Sequence, residues 1–271
     1  MSDASARLRS ALEWRAPGRA APTDRWTPKE VAVGLSFDGR PHTVLMATPA
    51  QVEDLARGFT ITEGVARADE IVSVEARTED LGILVDVRLA EGVVRRKARP
   101  RNLEGRSSCG LCGVQRLADA VRPLPPAVEG ARIAHAAVPA ALANLEVAQA
   151  LGRSTRATHA AAFCDVDGRV LLLAEDVGRH NALDKLAGAM AREGRDAGAG
   201  FVLVTSRCSF EMVEKAVRMG AGAIVAVSAP TDLAVSRAEE SGLTLVALAR
   251  ADGHMVFSRP DRLVEAALEV A

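Results

Sequence analysis

Short apolar runs alternate with helix-like segments across the second half of the chain, and this alternation constrains the fold more than any other feature. The runs typical of strands are residues 161–164, 170–173, 201–204, 223–227 and 243–246. Strands that are apolar throughout must be covered by helices, because both of their faces are buried. The pattern therefore predicts an α/β fold with a mixed sheet that is at least partly parallel.

Helices are predicted beside these runs at residues 139–151, 179–190, 210–219 and 232–240. The repeat of strand and helix is architectural, since the segments do not repeat one another in sequence. Together they predict the larger domain of the chain.

The first half of the chain has the pattern of a small α+β domain. Strand-like runs at residues 31–35, 43–46 and 83–87 accompany one predicted helix. The sequence TPAQ at residues 48–51 resembles a helix start, with threonine as the N-cap, proline in the first turn and glutamine in a capping box. We expect this helix to end near Gly58.

Composition indicates where the domains begin and end. Residues 1–25 are rich in Ala, Arg and Pro without a sustained period, so we expect a disordered or loosely attached tail. Three prolines at residues 122–131 indicate a connection. The expected domains are a small α+β domain at residues 26–121, which ends in a CxxC loop, and a larger α/β domain at residues 132–271.

Charge and hydropathy exclude several classes of function. The chain has 34 basic and 35 acidic side chains, so its overall charge favours neither nucleic acid nor an anionic membrane as a partner. No apolar run approaches the roughly 20 residues that span a bilayer, and the N-terminus lacks the apolar core of a secretory signal. We therefore expect a cytoplasmic protein that does not insert into membranes.

Polar residues follow three of the predicted strands, where the strands lead into helices. They are Thr205, Ser206 and Arg207 after one strand, Ser228 after the next, and Arg179 and His180 after a third. Carboxyl ends of strands and N-termini of helices are where α/β sheets bind phosphates. The same side chains can also act as ordinary helix caps or pair with carboxylates, so both interpretations stay open.

Two of the four cysteines lie in the predicted α/β domain. Cys164 lies within an apolar run, where a thiol behaves as a small hydrophobic group. Cys208 lies beside Arg207 at a predicted helix start, which can favour a thiolate, although a structural role is the commoner one.

The other two cysteines, Cys109 and Cys112, lie in the sequence SSCGLCG at residues 107–113. A structural zinc site normally has four ligands, and the chain has no second CxxC pair. A deaminase zinc site would require His-x-Glu upstream of Pro-Cys-x-x-Cys, whereas His159 lies downstream and is followed by two alanines. A thioredoxin-like disulfide would require an N-terminal βαβ context. Gly110 and Gly113 permit an exposed loop that can carry sulfur, and a zinc site also stays possible.

Six longer motifs, of which SSCGLCG is one, are distributed over most of the chain. They are FTITEGVARADEI at residues 59–71, SSCGLCG at 107–113, THAAAF at 158–163, DVGRHNALDKLAG at 176–188, TSRCSFEMVEKAVRMG at 205–220 and SAPTDLAVSRAEESGLTL at 228–245. In these motifs the chain resembles the FdhD family, the formate dehydrogenase accessory sulfurtransferases, from about residue 31 to residue 263. A CxxC motif alone would not establish such a resemblance.

The resemblance implies a sulfur carrier that receives sulfur from a cysteine desulfurase and holds it as a persulfide. Cys109 would carry the persulfide, and Cys112 would be its relay or resolving partner. The acceptor would be the molybdenum or tungsten bis-guanine-dinucleotide cofactor of formate dehydrogenase. The resemblance also implies a homodimer and a larger domain of cytidine-deaminase type that lacks zinc chemistry.

Cofactor contact is implied for the loop that follows the last long strand. Its residues are Leu248, Ala249, Arg250, Ala251, Asp252 and Gly253. With Thr205, Ser206, Arg207, Ser228 and His180, this loop forms the predicted cofactor site, and no permanently bound metal is expected.

Two other functions remain possible from the residues themselves. The chain could be a guanine-nucleotide cofactor chaperone for formate dehydrogenase whose cysteines are incidental, or an interaction module stabilised by zinc. Replacing Cys109 by alanine distinguishes them, because it abolishes sulfur transfer, leaves a chaperone intact, and removes metal from a zinc module.

Overall fold

A computed structural model describes residues 5–93 and 123–265 of the chain. Within these ranges, two small sheets and two larger ones are assembled with six α-helices. Cys109 and Cys112 lie outside the described residues. None of the described helices has both the length and the hydropathy that crossing a bilayer requires.

An antiparallel hairpin forms the beginning of the described chain, with strands β1 (Ala6–Arg15) and β2 (Arg19–Pro28). The predicted disordered tail over residues 1–25 is therefore wrong for the part that is described. Alternate residues of β1 place Leu8, Leu12 and Trp14 on one face of the hairpin. Arginines and polar residues between them obscure this period of two in the sequence.

A four-stranded sheet follows in the order β4-β3-β6-β5. Its strands are β3 (Val31–Phe37), β4 (Arg40–Ala47), β5 (Ile71–Glu79) and β6 (Gly82–Leu89). Helix α1 (Val52–Thr62) packs on one face, where Leu55 and Phe59 join the inward-facing residues of the strands. The predicted strands at residues 31–35, 43–46 and 83–87 and the α+β character of this part are confirmed, whereas β5 was not predicted.

Helix α1 begins and ends later than the sequence pattern predicts. Its N-terminal boundary is Gln51, which adopts a left-handed φ of 55° and provides no side-chain cap. Thr48 is buried instead, and its backbone N–H and hydroxyl both donate to Oδ2 of Asp176, at 3.0 and 2.9 Å. The N-cap prediction fails because this contact with a distant strand uses the threonine.

A six-stranded mixed sheet forms the centre of the second half, in the order β13-β12-β11-β10-β8-β9. The strands are β8 (His159–Cys164), β9 (Val170–Asp176), β10 (Phe201–Val204), β11 (Ala223–Ala226), β12 (Thr244–Arg250) and β13 (Gly253–Ser258). Strands β10, β11 and β12 are parallel, and the others are antiparallel to their neighbours. The predicted mixed, partly parallel sheet is confirmed. A further two-stranded pair joins β7 (Ile133–Ala134) to β14 (Leu263–Val264).

Helices cover both faces of this sheet. They are α2 (Ala137–Ala148), α3 (Ala150–Thr155), α4 (Arg179–Arg192), α5 (Phe210–Arg218) and α6 (Asp232–Ser241). Helices α4, α5 and α6 share one apolar core with the sheet, and α2 shares the other. Two separate cores on opposite faces explain why the strands are apolar throughout. The predicted helix at residues 139–151 is in fact two helices, because the chain leaves helical geometry at Gln149.

Helix α1 of the first half packs directly against α4 of the second half. A Cβ atom placed on Gly58 would lie 1.7 Å from the carbonyl oxygen of Asp184, and one on Gly188 would lie 1.9 Å from that of Asp54. Only glycine allows the two helix backbones to approach so closely. Gly58 lies inside α1, which continues to Thr62, so the predicted helix end near Gly58 is wrong. The division of the chain into domains at residues 122–131 stays a prediction.

Candidate functional site

The carboxyl ends of β10, β11 and β12 meet at one edge of the mixed sheet. Their loops are joined by backbone hydrogen bonds, from Leu248 to Ser228 at 3.2 Å, from Cys208 to Ala229 at 3.3 Å and from Thr231 to Cys208 at 2.9 Å. Helices α5 and α6 begin at these loops, so their N-termini lie at the same edge. The structure thus brings together the segments that the sequence suggested, while their role in binding stays a prediction.

The predicted polar residues of the loop that follows β10 are not equally available to a ligand. The hydroxyl of Thr205 accepts the backbone N–H of Ala160 at 2.9 Å and so connects β8 to the end of β10. The hydroxyl of the buried Ser206 donates to the carbonyl of Arg207 at 2.9 Å. Arg207 itself is exposed, and Ser228 in the neighbouring loop is partly buried. Arg207 is therefore the residue of this group best placed to contact an anion.

The loop between β12 and β13 is a tight hairpin, with Arg250 opposite Gly253. Its residues Ala251, Asp252 and Gly253 are exposed, as is Leu248, which adopts a positive φ of 53°, whereas Ala249 is buried. The Arg250 guanidinium donates to the carbonyls of Val227 and Ala249. This arginine therefore lies across the end of β11, next to the loop that holds Ser228.

His180 lies in the first turn of α4 and is buried against α5. Its Nε2 atom lies 3.7 Å from Oε2 of Glu211, which also accepts the Ser209 hydroxyl at 2.8 Å. Burial raises the pKa of Glu211, but the nearby His180 ring and the hydrogen bond from Ser209 outweigh this effect, and the net pKa is lowered. The imidazole is thus positioned by a carboxylate at the start of the next helix.

The two described cysteines are both buried. Burial raises the pKa of the Cys164 thiol to about 12, and the charge of Asp165 acts in the same direction. Burial alone raises the pKa of Cys208 to about 12. Arg207 therefore does not activate Cys208, and both thiols are structural. The predicted roles of Cys109 and Cys112 fall outside the described residues.

Within residues 5–93 and 123–265, no three or more histidine, cysteine or acidic side chains are arranged to hold a metal ion. The expectation that the protein carries no permanent metal stays a prediction.

Two fully buried lysines connect the halves of the molecule, and sequence reasoning missed them. The Nζ atom of Lys185 lies 2.6 Å from Asp176 and donates to the hydroxyl and carbonyl of Thr48 at 2.7 and 3.0 Å. Burial lowers the pKa of Lys185, and the charge of Asp176 opposes this only in part. The motif at residues 176–188 thus supplies an ion pair that holds the end of β4 and its following loop.

The second lysine, Lys215 of α5, makes a larger set of contacts. Its Nζ atom contacts Asp184 at 2.8 Å, Glu63 at 3.0 Å and the hydroxyl of Thr62 at 3.0 Å. Burial lowers the pKa of Lys215, but the two carboxylates outweigh this and raise it, so the ammonium stays charged. Residues from three motifs quoted above therefore form one buried polar cluster at the junction of α1, α4 and α5. The only sequence signal was the occurrence of charged residues inside otherwise amphipathic helices.

The chain is similar to a known protein family over most of its length. Residues 28–264 match the model of the FdhD/NarQ family. Among curated proteins, the Sulfur carrier protein FdhD of Cupriavidus necator is 48% identical over 237 residues, which cover 87% of this chain and 82% of that protein. The protein of the same name from Variovorax paradoxus is 45% identical over 240 residues, covering 88% of this chain and 86% of its own.

A solved structure has the same fold. A crystal structure from Desulfotalea psychrophila, described as a formate dehydrogenase accessory protein, superposes with a TM-score of 0.76. The alignment covers 96% of this chain and 100% of that one at 23% identity, so it supports the fold and not the function.

Proposed function

The chain belongs to the FdhD/NarQ family, and we propose that it is a sulfur carrier with sulfurtransferase activity that serves formate dehydrogenase. It accepts sulfur from a cysteine desulfurase as a persulfide and passes it to the molybdenum or tungsten bis-guanine-dinucleotide cofactor. Cys109 carries the persulfide, and Cys112 relays or resolves it. The proposal includes a cytoplasmic homodimer and a larger domain of cytidine-deaminase type. The name shared by its curated relatives supports the carrier role.

The observation that carries this proposal is that the thiols of Cys164 and Cys208 are buried and protonated. The chain has four cysteines, and two of them, Cys164 and Cys208, are buried with pKa values raised to about 12. A thiol must be deprotonated and accessible to attack a persulfide, so these two are unsuited to the reaction. Sulfur transfer by this chain therefore requires Cys109 or Cys112.

Loading of the carrier and movement of sulfur between its two cysteines proceed without an added oxidant or reductant. The thiolate of Cys109 attacks the outer sulfur of the desulfurase persulfide, a new S–S bond forms, and the desulfurase cysteine leaves as a thiolate. Attack by Cys112 on the same outer sulfur moves the persulfide by one cysteine and releases Cys109 as a thiolate. The outer sulfur leaves as sulfide for the acceptor when the second cysteine attacks the inner sulfur of the persulfide; the Cys109–Cys112 disulfide that forms supplies the two electrons, and a thiol reductant then restores both thiols.

The edge formed by the loops after β10, β11 and β12 is the proposed contact for the guanine-dinucleotide part of the acceptor. Its helix N-termini carry partial positive charge, and Arg207 is exposed beside them. An arginine can bind phosphate oxygens through two parallel hydrogen bonds. The acceptor's pyrophosphates supply the matching negative charge.

Intact-protein mass spectrometry tests the carrier role. The full chain is incubated with a cysteine desulfurase and cysteine, and we expect added sulfur that peptide mapping places on Cys109. Cys109→Ala should lose this sulfur, whereas Cys164→Ala serves as a matched control and should retain it. Sulfur found only on Cys164 or Cys208 contradicts the assignment.

The same variants separate the other two functions. A chaperone without sulfur transfer would support formate dehydrogenase activity equally well with Cys109→Ala. A zinc-stabilised module would contain about one zinc per chain, lost in Cys112→Ser, whereas we expect no stoichiometric zinc in elemental analysis.

A further inference from the structure

The pairing of β12 with β13 is interrupted beside the cofactor hairpin, the loop at residues 248–253. The register of the two strands shifts between Ala247 and Arg250. His254 of β13 consequently faces two residues of β12, Leu248 and Ala249, and this arrangement is a β-bulge. Bulges are frequent beside binding sites, because they redirect the side chains of the strand that carries them.

The bulge is held in an uncommon backbone conformation. Leu248 has a positive φ of 53°, which a leucine keeps only where the surrounding contacts impose it. On the side of β11, the Leu248 N–H donates to the carbonyl of Ser228 at 3.2 Å. On the other side β13 is the edge strand of the sheet, so its link to the rest of the molecule depends on side chains.

His254 forms such a link with His135. The Nδ1 atom of His135 lies 2.9 Å from Nε2 of His254, and the two rings are stacked with centroids 5.1 Å apart. The backbone of His135 is itself fixed, since its N–H donates to Val264 at 2.9 Å and its carbonyl accepts the N–H of Val138 at 3.3 Å. This hydrogen bond therefore connects the junction of β7 and α2 with the residue that faces the bulge.

We propose that His135 is a positioning residue for the cofactor hairpin, because its hydrogen bond to His254 holds the bulge at Leu248 and Ala249 in the shape that contacts the guanine-dinucleotide acceptor. The inference rests on the proposed function, since it concerns how the same edge is kept in its binding conformation. A loop that is already fixed loses less conformational entropy when its ligand binds.

The hydrogen bond depends on how many protons the two imidazoles hold. One ring must donate and the other accept, so a neutral or singly protonated pair forms the bond, whereas in a doubly protonated pair two N–H donors face each other. Burial lowers the pKa of His254, and the charge of His135 lowers it further. The second proton therefore binds below the ordinary histidine pKa of about 6.5, and the bond is lost as the pH falls through that range.

Other charged groups near the pair are exposed or already have partners. His254 lies on the same face of β13 as Val256, which packs into the core beneath α2, so the charges of α6 belong to the opposite face. Arg250 and Arg262 donate to backbone carbonyls. Arg259, which follows β13, pairs with Asp261 at 2.9 Å. The exposed charged residues on the flanking elements are Arg132, Glu146, Asp252 and Glu265.

Two variants of His135 separate the bond from its titration. His135→Leu removes the bond, whereas His135→Asn places an amide near the position of Nδ1 and keeps a bond that does not titrate. GDP is the probe, because it contains the guanine and pyrophosphate groups of the acceptor. At about pH 7.5 we expect His135→Leu to weaken GDP binding about threefold to tenfold in calorimetric titration, and His135→Asn to stay within about twofold of the wild type.

The pH profile distinguishes positioning from a merely structural role. Between about pH 7.5 and pH 5.5, GDP affinity should fall more steeply in the wild type than in His135→Asn. The phosphate of GDP also gains a proton in this range, but it does so equally with both proteins, so the difference between them reports the histidine pair. His254→Leu removes the same bond from the other side, and the double variant with His135→Leu should bind GDP no more weakly than either single variant.

Two measurements on the free protein need no ligand. Hydrogen exchange of the Leu248 amide should be faster in His135→Leu than in the wild type, while the amides of the central strand β11 serve as the internal control. In NMR titration the pKa of His254 should be higher in His135→Asn than in the wild type, because the neighbouring charge is gone.

The positioning role and the proposed function fail in different ways. Unchanged exchange at Leu248 in His135→Leu, or equal GDP affinity and pH dependence in the wild type and both His135 variants, overturns the positioning role and leaves the nucleotide edge intact. Absence of GDP binding in the wild type overturns the nucleotide edge and the positioning role together. Persulfide formation on Cys109 then decides the carrier role by itself.

Discussion

Replacing Lys215 by methionine tests the polar cluster at the junction of α1, α4 and α5. The change keeps the length of the side chain and removes its charge. In the native protein the Nζ atom contacts Asp184 and Glu63 at 2.8 and 3.0 Å, and all three side chains are buried. Without the ammonium, these two carboxylates lie close together in the interior and lose the cation that they share. We expect the free energy of unfolding at pH 7 to fall by about 3–5 kcal/mol, the usual cost of breaking a buried ion pair.

The pH dependence of the variant provides a sharper test. In the variant these two buried carboxylates have folded-state pKa values above those of the unfolded chain, so the folded variant binds more protons than the unfolded one. Its stability should therefore increase as the pH falls from 7 towards about 4, where the unfolded carboxyl groups also become protonated. Urea unfolding at several pH values measures this recovery.

The matched control is Arg77→Met, which removes a charge from an exposed pair with Glu79. It should change the free energy of unfolding by no more than about 0.5 kcal/mol. The reasoning is refuted if Lys215→Met costs less than about 1 kcal/mol, or if its loss of stability is the same at pH 5 and pH 7.

Three further predictions follow from the geometry. Gly188→Ala should lower the free energy of unfolding in urea by about 1–3 kcal/mol, because a Cβ atom would lie 1.9 Å from a backbone oxygen, whereas Gly253→Ala, which meets open space, should have little effect. Arg207→Ala should weaken GDP binding in calorimetric titration by about 1.5–3 kcal/mol, and equal affinity would remove the arginine from the site. Cys164 and Cys208 should resist an aromatic disulfide reagent at pH 8 until the chain unfolds, since their pKa values are about 12; rapid reaction in the folded state would contradict their burial.

Much of the larger fold could be predicted from local patterns. The apolar runs at β10 and β11 and the helices that follow them have the expected positions, because covering a strand on both faces imposes an apolar composition that is visible residue by residue. The convergence of Thr205 and Ser228 at one edge follows from the same argument, since parallel strands end on the same side of a sheet. The hairpin at β1 and β2 could not be predicted with the same ease, because it has little core and its faces mix arginine with apolar residues.

Within the predicted site, the structure shows which polar residues are exposed and which are used in internal hydrogen bonds, a difference that the sequence does not reveal. Thr205 and Ser206 use their hydroxyls for internal hydrogen bonds, whereas Arg207 remains exposed. Cys208 has a cationic neighbour in sequence, yet its thiol is buried and its pKa is raised. Two residues that are adjacent in sequence need not have side chains on the same side, because neighbouring side chains of an extended segment point to opposite sides.

The sequence by itself determined the family, the layered α/β architecture and the pair Cys109 and Cys112 as the candidate sulfur carriers. These depend on residue order and on periodicity, both of which are local. Tertiary structure alone decided that Thr48 holds Asp176 across 128 residues of chain, and that Lys215 neutralises one carboxylate from α4 and another that directly follows α1. A buried charge is stable only with its partners in place, and those partners come from distant segments that periodicity cannot connect.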